Sequence, residues 1–347
     1  MSLKTAIEHR TLHFHKPAGT SRGVYRTHDV WYVRVSTVEQ PERFGIGECA
    51  PLPDLSCDYG SDYAVRLQEA CNQLEQSGVL DTEALRNQPS ILFGLETAMR
   101  HLETILNRLQ TNAFALWDSP FSRSEQGIPI NGLIWMGPYK EMEAQIREKL
   151  EKGFRCIKLK IGALNFEEEL ALLHQIRREY SPETLTLRVD ANGAFSPAEA
   201  PEKLKLLSEL NLHSIEQPIR AGQWVALKGL IKTSPIAIAL DEELIGHHAF
   251  KEKALLLDTL LPPFLVLKPT LHGGISGCTE WIRLASERGI GWWMTSALES
   301  NIGLNAVAQW CATLNNPLHQ GLGTGLLYVD NVEMPLHIEG EKLWFRP

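Results

Sequence analysis

Charged residues end successive apolar runs in the second half of the 347-residue chain. Asp190, Glu216 and Asp241 each end one run, while Lys160 and Lys268 end the runs before and after these three. The steps along the chain from Lys160 to Lys268 are 30, 26, 25 and 27 residues, so one charge falls in each apolar run. Three carboxylates without a thiolate or a histidine favour a hard divalent cation, Mg²⁺ before Mn²⁺ or Ca²⁺.

Two lysines in one of these runs are candidate proton carriers. Lys158 and Lys160 alternate with three apolar residues over 157–161, so the lysines share one face of a strand. A lysine with an ordinary pKa of about 10.4 is a poor base at neutral pH, and the like charge of Lys158 is expected to lower the pKa of Lys160. A base beside a cation that stabilises an oxyanion suits the removal of a proton next to a carboxylate.

Each of these charges also has a structural explanation when it is taken alone. Asp190 or Asp241 after a strand could be the N-cap of a helix, and Lys158 and Lys160 could lie on the solvent face of an edge strand. Buried ammonium groups are rare unless they are paired, and three nearby carboxylates would supply that pairing. The pattern as a whole therefore favours a functional site.

The elements that carry these residues alternate between short apolar runs and longer amphipathic stretches after about residue 127. The runs span residues 130–135, 156–161, 185–189, 214–216, 236–240, 264–267 and 291–295. Helices are expected over residues 140–152, 166–180, 198–210, 224–233, 247–256, 276–288 and 301–314. Continuous apolar strands separated by helices predict a parallel sheet that is buried on both faces.

Seven such units and a weaker eighth near residues 319–322 favour a closed (β/α)8 barrel, in which the carboxyl ends of the strands surround the active site. A barrel of about 250 residues allots about 31 residues to each unit, close to the steps between the charges. An open doubly wound sheet is the alternative. It lacks its glycine fingerprint, because Gly45-Ile-Gly47 and Gly321-Leu-Gly-Thr-Gly325 are incomplete matches.

The first part of the chain has a different pattern. Alternating runs at 30–36 and 43–50 predict antiparallel strands. Apolar residues at helical spacing predict helices over 61–77 and 90–109. Strands followed by helices indicate an α+β unit, and the length of the chain exceeds the usual size of a single hydrophobic core.

The composition excludes several classes of protein. Lys plus Arg number 34 and Asp plus Glu number 42, a net charge of −8 that argues against a nucleic-acid partner. The apolar runs are too short to span a membrane, and residues 1–11 lack the apolar core of a signal peptide. Six cysteines without CxxC spacing are expected to be reduced thiols of a cytoplasmic protein.

Five short motifs resemble those of the enolase superfamily, in the same order along the chain. They are Lys158-Leu-Lys160, Asp190-Ala-Asn192, Ser214-Ile-Glu-Gln-Pro218, Leu240-Asp-Glu242 and Leu267-Lys-Pro269. The pattern is most similar to the muconate-lactonizing-enzyme subgroup, and residues 45–53 are similar to the end of the first sheet of its capping domain. The resemblance implies a modified, TIM-like (β/α)8-type barrel over 119–319. It also implies an α+β capping domain over 1–118, to which 320–347 returns.

The resemblance implies roles for individual residues as well. The expected ligands of Mg²⁺, with Mn²⁺ as an alternative ion, are Asp190, Glu216 and Asp241. Lys160 would be the base, Lys268 would face the intermediate from the other side, and Lys158 would tune Lys160. The residues expected to contact the substrate or to support the metal ligands are Asn192, Glu242, Ser296, Glu299, Ser300, Gly321 and Thr324.

Residues 296–303 and 321–330 are similar to the o-succinylbenzoate synthase family within this subgroup. That resemblance implies syn dehydration of 2-succinyl-6-hydroxy-2,4-cyclohexadiene-1-carboxylate to 2-succinylbenzoate in menaquinone biosynthesis, through a metal-stabilised enediolate. A racemase of N-acylamino acids or a dipeptide epimerase is the alternative, although epimerases carry an Asp-x-Asp motif that this sequence lacks after the eighth strand. A barrel retained for binding or structure is a further alternative, which the filled catalytic positions disfavour.

The resemblance implies a small-molecule carboxylate as the partner and allows a homo-oligomer. Turn-forming residues over 16–28 predict a mobile loop that closes over the mouth of the barrel. Arg22 or Arg26 in this loop would offer a charge to a substrate carboxylate. An ordinary exposed hairpin loop is the alternative.

Overall fold

The computed structural model describes residues 2–20, 23–107, 112–162 and 164–346. An antiparallel sheet with two helices comes first, and a curled parallel sheet ringed by helices follows it. A small antiparallel sheet combines the last two strands with a short strand that precedes the parallel sheet. The order of elements is therefore that of an α+β unit followed by a β/α unit.

The first antiparallel sheet has the strand order β1-β2-β3. Its strands are β1 (Leu3–Thr20), β2 (Gly23–Thr37) and β3 (Gln40–Cys49), and the helices that follow are α1 (Tyr63–Ser77) and α2 (Pro89–Asn107). Val35 of β2 packs with Leu67 of α1 and Leu95 of α2 in one buried cluster, because alternate strand residues face the helix layer. Both helices lie close to their predicted positions. Residues 108 and 109, which the prediction includes in the second helix, fall outside the described residues.

In the described ranges, the parallel sheet has seven strands that follow one another in chain order. They are β5 (Gly132–Ile134), β6 (Cys156–Lys160), β7 (Thr186–Asp190), β8 (Ser214–Glu216), β9 (Ile238–Leu240), β10 (Phe264–Leu267) and β11 (Gly291–Met294). The helices that accompany them are α3 (Tyr139–Glu151), α4 (Phe166–Glu179), α5 (Ala200–Ser208), α6 (Trp224–Thr233), α7 (Phe250–Leu260), α8 (Gly274–Glu287) and α9 (Asn301–Thr313). Every predicted apolar run and every predicted helix of this region overlaps one of these elements.

Gln320 and Gly321 close the parallel sheet into a barrel. Gln320 forms a parallel bridge with Ile130 beside β5, and Gly321 forms one with Thr295 beside β11. Gly321 N also donates to Met294 O at 2.7 Å. A Cβ at Gly321 would lie 2.5 Å from Thr295 Oγ1, so this close approach requires glycine. The predicted closed barrel with its α+β capping domain is confirmed, and the open-sheet alternative is wrong.

The C-terminal tail contacts both parts of the molecule. Residues 327–329 run beside β1, where His15 N donates to Leu327 O at 2.8 Å and Val329 N donates to His13 O at 2.8 Å. The last hairpin then pairs with the strand before the barrel, through β4 (Ile128–Pro129), β12 (Leu336–Glu339) and β13 (Lys342–Phe345). The domain division into 1–118 with 320–347 and 119–319 remains a prediction, since the tail touches both units.

Two expectations from the composition can be compared with the structure. The six cysteines are free, and five of them are buried while Cys57 is exposed. Of the helices in the described ranges, none combines the length and the apolar character that a membrane span requires.

Candidate active site

Three carboxylates lie together at the carboxyl ends of three neighbouring strands. Asp190 ends β7, Glu216 ends β8 and Asp241 follows β9. One oxygen atom of each lies within 4.8 Å of those of the other two, and all three side chains are buried. The carboxyl ends of β7 and β8 lie side by side, because Asp190 and Glu216 are paired with each other in the parallel ladder. The structure therefore brings together the three residues that were expected to bind a metal ion.

Two buried lysines from β6 pair with these carboxylates. Lys158 Nζ lies 3.0 Å from Asp190 Oδ2 and 2.5 Å from Glu216 Oε2. Lys160 Nζ donates to Asp190 Oδ2 at 3.0 Å and to Asn192 Oδ1 at 2.8 Å. Both lysines point into the barrel, as the alternation along the strand predicts, since the other face of β6 packs on the helices.

A third buried lysine approaches the site from the other side. Lys268 follows β10, and its Nζ donates to Asp241 Oδ2 at 2.5 Å. In the sheet, β6 lies beside β7 and β10 lies beside β9, so the three carboxylate strands stand between the two lysine strands. A small molecule bound at the triad would therefore have Lys160 on one side and Lys268 on the other.

The electrostatic surroundings of these two lysines differ. Burial lowers the pKa of Lys160 below its ordinary value; Asp190 opposes the shift and the two other lysines add to it. Burial also acts to lower the pKa of Lys268, but the charges of Asp241 and Glu242 outweigh it and raise that pKa. Lys160 is therefore the better proton acceptor, and Lys268 is the more permanent positive charge.

The carboxylates keep oxygen atoms available for a cation. Glu216 Oε1 and Asp241 Oδ1 are buried and have no hydrogen-bond partner within the part of the chain that the structure describes. Burial, opposed by Lys158 and reinforced by Asp190, raises the pKa of Glu216. A divalent cation would satisfy both orphaned oxygens and relieve the crowding of like charges. The donor set of carboxylate oxygens thus fits a hard divalent metal ion.

A cleft opens at these residues. Its charged end is formed by Lys158, Lys160, Asp190 and Lys268, together with Asn192. Its apolar wall consists of Tyr25, Leu52, Leu55, Leu133, Trp135, Leu271 and Leu298, with Ala297 beside them. An apolar cleft with polar groups gathered at one end suits a small molecule that carries an acidic group.

Several of the expected substrate-contacting residues line this cleft. Ser296, Gly321 and Thr324 do so on the side of the closing segment, and Asn192 does so beside Lys160. Glu242 lies behind Asn192, whose Nδ2 donates to Glu242 Oε1 at 3.0 Å. Glu242 is thus placed to support Asn192.

Glu299 and Ser300 do not line the cleft but hold the segment that does. Glu299 Oε2 accepts from Ser296 Oγ at 2.6 Å and from Ala297 N at 2.8 Å. Ser300 donates from its N–H and its hydroxyl to the carboxylate of Glu48, at 2.7 and 2.5 Å. These two residues therefore support the wall that Ser296 and Ala297 present to the cleft.

The capping domain contributes Tyr25, Leu52 and Leu55 to the cleft. The described residues of the stretch over 16–28 belong to β1 and β2, which pair from Ala18 opposite Tyr25 to Thr20 opposite Gly23 after a register shift between His13 and Ala18. Arg26 is exposed, and Arg22 lies outside the described residues. Closure of this hairpin over the site remains a prediction.

Comparison with known proteins identifies the family of this chain. The Enolase C-terminal domain-like family matches residues 141–344, which include the parallel strands from β6 to β11. An o-succinylbenzoate synthase of Desulfotalea psychrophila is 43% identical over 94% of this chain and 95% of its own length. The chain belongs to the enolase superfamily.

Solved structures of superfamily members have the same fold. The crystal structure of MenC from Desulfotalea psychrophila LSv54 has a TM-score of 0.81 at 38% identity, and the match covers 99% of this chain and 100% of that one. A dipeptide epimerase from Cytophaga hutchinsonii, complexed with Mg and a dipeptide, has a TM-score of 0.84 at 21% identity. That match covers 100% of this chain and 94% of the epimerase, and at this identity it shows the fold alone. Enolase superfamily enzymes use a divalent metal ion, and this member has the buried acidic triad for one.

Two residues at this superfamily site have little signal in the sequence. Trp135 follows β5, and its ring centroid lies 6.0 Å from Lys160 Nζ. An inward-facing aromatic residue next to a barrel strand has the same pattern as a core residue, so periodicity does not single it out. Gln217 directly follows Glu216 within one of the five superfamily-like motifs, but its residue type and spacing do not indicate which groups it contacts.

Proposed function

We propose that this chain is a Mg²⁺-dependent o-succinylbenzoate synthase, a carbon-oxygen lyase of menaquinone biosynthesis. It would convert 2-succinyl-6-hydroxy-2,4-cyclohexadiene-1-carboxylate to 2-succinylbenzoate. One carbon of the ring loses a proton, its neighbour loses the hydroxyl group with the bonding electrons, and one water leaves from the same face. The observation that carries the proposal is the similarity to the Desulfotalea psychrophila synthase over nearly the whole chain.

Lys160 would act as the base and then as the acid. Its Nζ lies at the charged end of the cleft, and its pKa is lowered by burial and by the like charges of the other two lysines. In its neutral form it would take the proton from the carbon next to the substrate carboxylate. The ammonium group so formed would give this proton to the departing hydroxyl on the same face. A syn elimination therefore needs one proton carrier only.

Lys268 suits the complementary role of a fixed charge. Its ion pair with Asp241 and its raised pKa keep it protonated. A positive charge on the side opposite Lys160 would stabilise the negative charge that develops on the substrate. A racemase needs both lysines to exchange protons with carbon, so the same residues would serve that alternative, and the similarity to the synthase favours the dehydratase over it.

The three carboxylates would hold Mg²⁺ through oxygen atoms that include Glu216 Oε1 and Asp241 Oδ1. When bound, Mg²⁺ supplies charge stabilisation to the substrate carboxylate. Lys158 bridges Asp190 and Glu216, and this ion pair compensates part of their mutual repulsion. Mg²⁺ is the ion of choice because the ligands are few, hard and close together.

The rest of the cleft suits a ring with a polar chain. Leu133, Leu271 and Leu298 offer apolar contacts to the ring. Thr295 Oγ1 and Thr324 Oγ1 line the cleft and have no hydrogen-bond partner among the described residues. These two buried hydroxyls would form hydrogen bonds with the succinyl group. Without such a partner their hydrogen-bonding capacity would remain unsatisfied.

Conversion of the cyclohexadiene substrate by purified protein tests this function. The ring becomes aromatic, so the ultraviolet absorbance follows the reaction directly. We expect turnover with Mg²⁺, loss of turnover with EDTA, and recovery when Mg²⁺ is restored. Deuterium exchange into N-succinylamino acids, measured on the same preparation, tests the racemase alternative. Exchange without any dehydration would overturn the proposal.

A further inference from the structure

Gln217 has an unusual backbone conformation at the centre of the metal site. It follows Glu216 directly, is completely buried, and has a φ of 35°. A positive φ is unfavourable for a residue with a long side chain and persists only where the surroundings fix it. Glycine would relieve this strain, so the carboxamide of Gln217 must offer something that glycine does not.

The carboxamide makes four hydrogen bonds. Its Oε1 accepts from the backbone N–H groups of Asp241 and Glu243, at 3.3 and 3.2 Å. Its Nε2 donates to Ile219 O at 3.0 Å and to Glu243 Oε2 at 3.1 Å. Both donors and both acceptor positions of the amide are thereby used. The side chain of a residue next to one expected metal ligand therefore holds the backbone of another.

The backbone of Gln217 extends this link to the third strand. Gln217 O accepts from Gly193 N at 2.7 Å, in the turn that follows Asp190. Gln217 N donates to Ala239 O at 3.0 Å, in the strand that leads to Asp241. One residue thus contacts the carboxyl ends of all three strands that carry the carboxylates.

We infer that Gln217 is a positioning residue that sets the spacing of Asp190, Glu216 and Asp241 and thereby the affinity of the site for a divalent cation. The inference rests on the metal site of the proposed function. Residues that hold metal ligands in place commonly contribute about 10–100-fold to metal affinity. Gln217 does not itself contact the substrate cleft, so its effect is transmitted through the backbone of the ligands.

The test variant is Gln217→Asn. Asparagine tolerates a positive φ better than glutamine does, but its amide is one methylene shorter and does not reach the N–H groups of Asp241 and Glu243. Titration of Mg²⁺ into metal-free protein, followed by calorimetry, gives the affinity without reference to turnover. We expect about 10–100-fold weaker binding.

Gln309 provides a matched control, because its buried carboxamide also makes four hydrogen bonds. In α9, its Oε1 accepts from Leu116 N at 2.7 Å and Trp117 N at 3.4 Å. Its Nε2 donates to Phe114 O at 2.7 Å and to Asn305 Oδ1 at 2.9 Å. Gln309→Asn should lower the unfolding temperature and leave the affinity for Mg²⁺ unchanged.

Activity measured against Mg²⁺ concentration adds a second readout. For Gln217→Asn, the half-saturating concentration of Mg²⁺ should rise by the same factor as the dissociation constant, while kcat at saturating Mg²⁺ stays within about twofold of the wild type. A purely structural defect would lower kcat at every Mg²⁺ concentration, and that result would overturn the inference. If Gln217→Asn does not fold, Glu243→Ala removes the carboxylate that accepts from Gln217 Nε2 and should weaken Mg²⁺ binding in the same direction.

Two further outcomes would also overturn the positioning role. One is wild-type affinity in Gln217→Asn or, where that variant does not fold, in Glu243→Ala. The other is an equal loss of affinity in Gln309→Asn. Absence of Mg²⁺ binding to the wild-type protein would instead refute the metal site itself, and with it this inference.

Discussion

Glu48 in the capping domain accepts two hydrogen bonds from Ser300 at the start of α9, 252 residues later in the chain. Glu48 Oε2 also accepts from Gly303 N at 2.7 Å. The carboxylate thus satisfies free N–H groups at the N-terminus of a barrel helix. Because Ser296 and Leu298 lie just before this helix and line the cleft, the capping domain helps to hold one wall of the active site.

The first prediction concerns the pH dependence of stability at this contact. Burial raises the pKa of Glu48 from 4.5 to about 7, although its hydrogen bonds to Ser300 and Gly303 oppose the shift. The folded protein therefore binds a proton here that the unfolded chain releases above about pH 4.5. The stabilisation from this proton is full below that pH and is lost as the pH rises through about 7, with an upper bound of about 3 kcal/mol.

Urea unfolding of the wild type and of Glu48→Gln between pH 5 and pH 8 measures this effect. The free energy of unfolding of the wild type should fall with rising pH relative to that of the variant, which has no carboxyl group to titrate. Parallel curves for the two proteins would show that Glu48 has an ordinary pKa.

The second prediction concerns the expected metal ligands. Asp190→Ala, Glu216→Ala and Asp241→Ala should each weaken Mg²⁺ binding by more than about 100-fold, the upper end for residues that merely support ligands. Each variant should lose most of its dehydration activity and keep its fold, which circular dichroism and calorimetry would establish. If one of these variants kept near wild-type turnover at low Mg²⁺, the residue replaced in it would not be a metal ligand.

The three variants should differ in stability without metal. Asp190 pairs with both Lys158 and Lys160, so its removal leaves two buried ammonium groups with fewer partners. We expect Asp190→Ala to be the least stable of the three metal-free proteins. Thermal unfolding with excess EDTA measures this order.

The third prediction separates the roles of the two lysines. Lys160→Ala should abolish dehydration and any racemisation, because the proton carrier is lost in both reactions. Lys268→Arg retains a positive charge that can pair with Asp241, but a guanidinium group is not a usable base. It should therefore dehydrate at least about tenfold faster than Lys268→Ala, equivalent to about 1.4 kcal/mol of transition-state stabilisation.

Comparison with the racemase reaction completes this test. Lys268→Arg should lose any deuterium exchange that the wild type shows with N-succinylamino acids. Dehydration by Lys268→Arg that is no faster than by Lys268→Ala would contradict a purely electrostatic role for Lys268.

The fourth prediction concerns Trp135, which stands beside Lys160 in the cleft. The side chain of Gln145 binds both backbone groups of Trp135, at 2.9 Å to its N and 3.2 Å to its O, and so fixes its position. Trp135→Leu should raise KM by about 2–10-fold through the loss of aromatic contact with the ring. Trp135→Phe is the conservative control and should stay near the wild type.

Binding of the product to the same variants gives an independent measure of this contact. Gln145→Leu frees the backbone of Trp135 and should weaken product binding in the same direction as Trp135→Leu, by a smaller factor. An unchanged KM in Trp135→Leu would place the substrate ring away from this wall.

The sequence predicts the strands and their charged ends well, because the strands from β6 to β10 share a local pattern of an apolar run with a charged residue at its end. A strand buried on both faces must be apolar. A charged residue at its carboxyl end therefore marks where the strand ends, as at Asp190 and Glu216. The same logic is weak for the closing segment, where Gln320 and Gly321 form only two bridges and offer no apolar run.

Contacts between distant parts of the chain have no local signature. Glu48 binds the start of a helix more than 250 residues away, and its own surroundings read as an ordinary strand. Such a contact leaves no periodic signal in the sequence.

The two-residue closure of the barrel has a consequence for its synthesis. Until Gln320 and Gly321 have left the ribosome, β5 and β11 both present unpaired edges, which are templates for pairing with other chains. The strands of the carboxylates lie in the middle of the sheet and can pair earlier. A nascent chain can therefore assemble its acidic triad while its cleft still lacks one wall, and truncation just before residue 320 should yield an aggregation-prone protein.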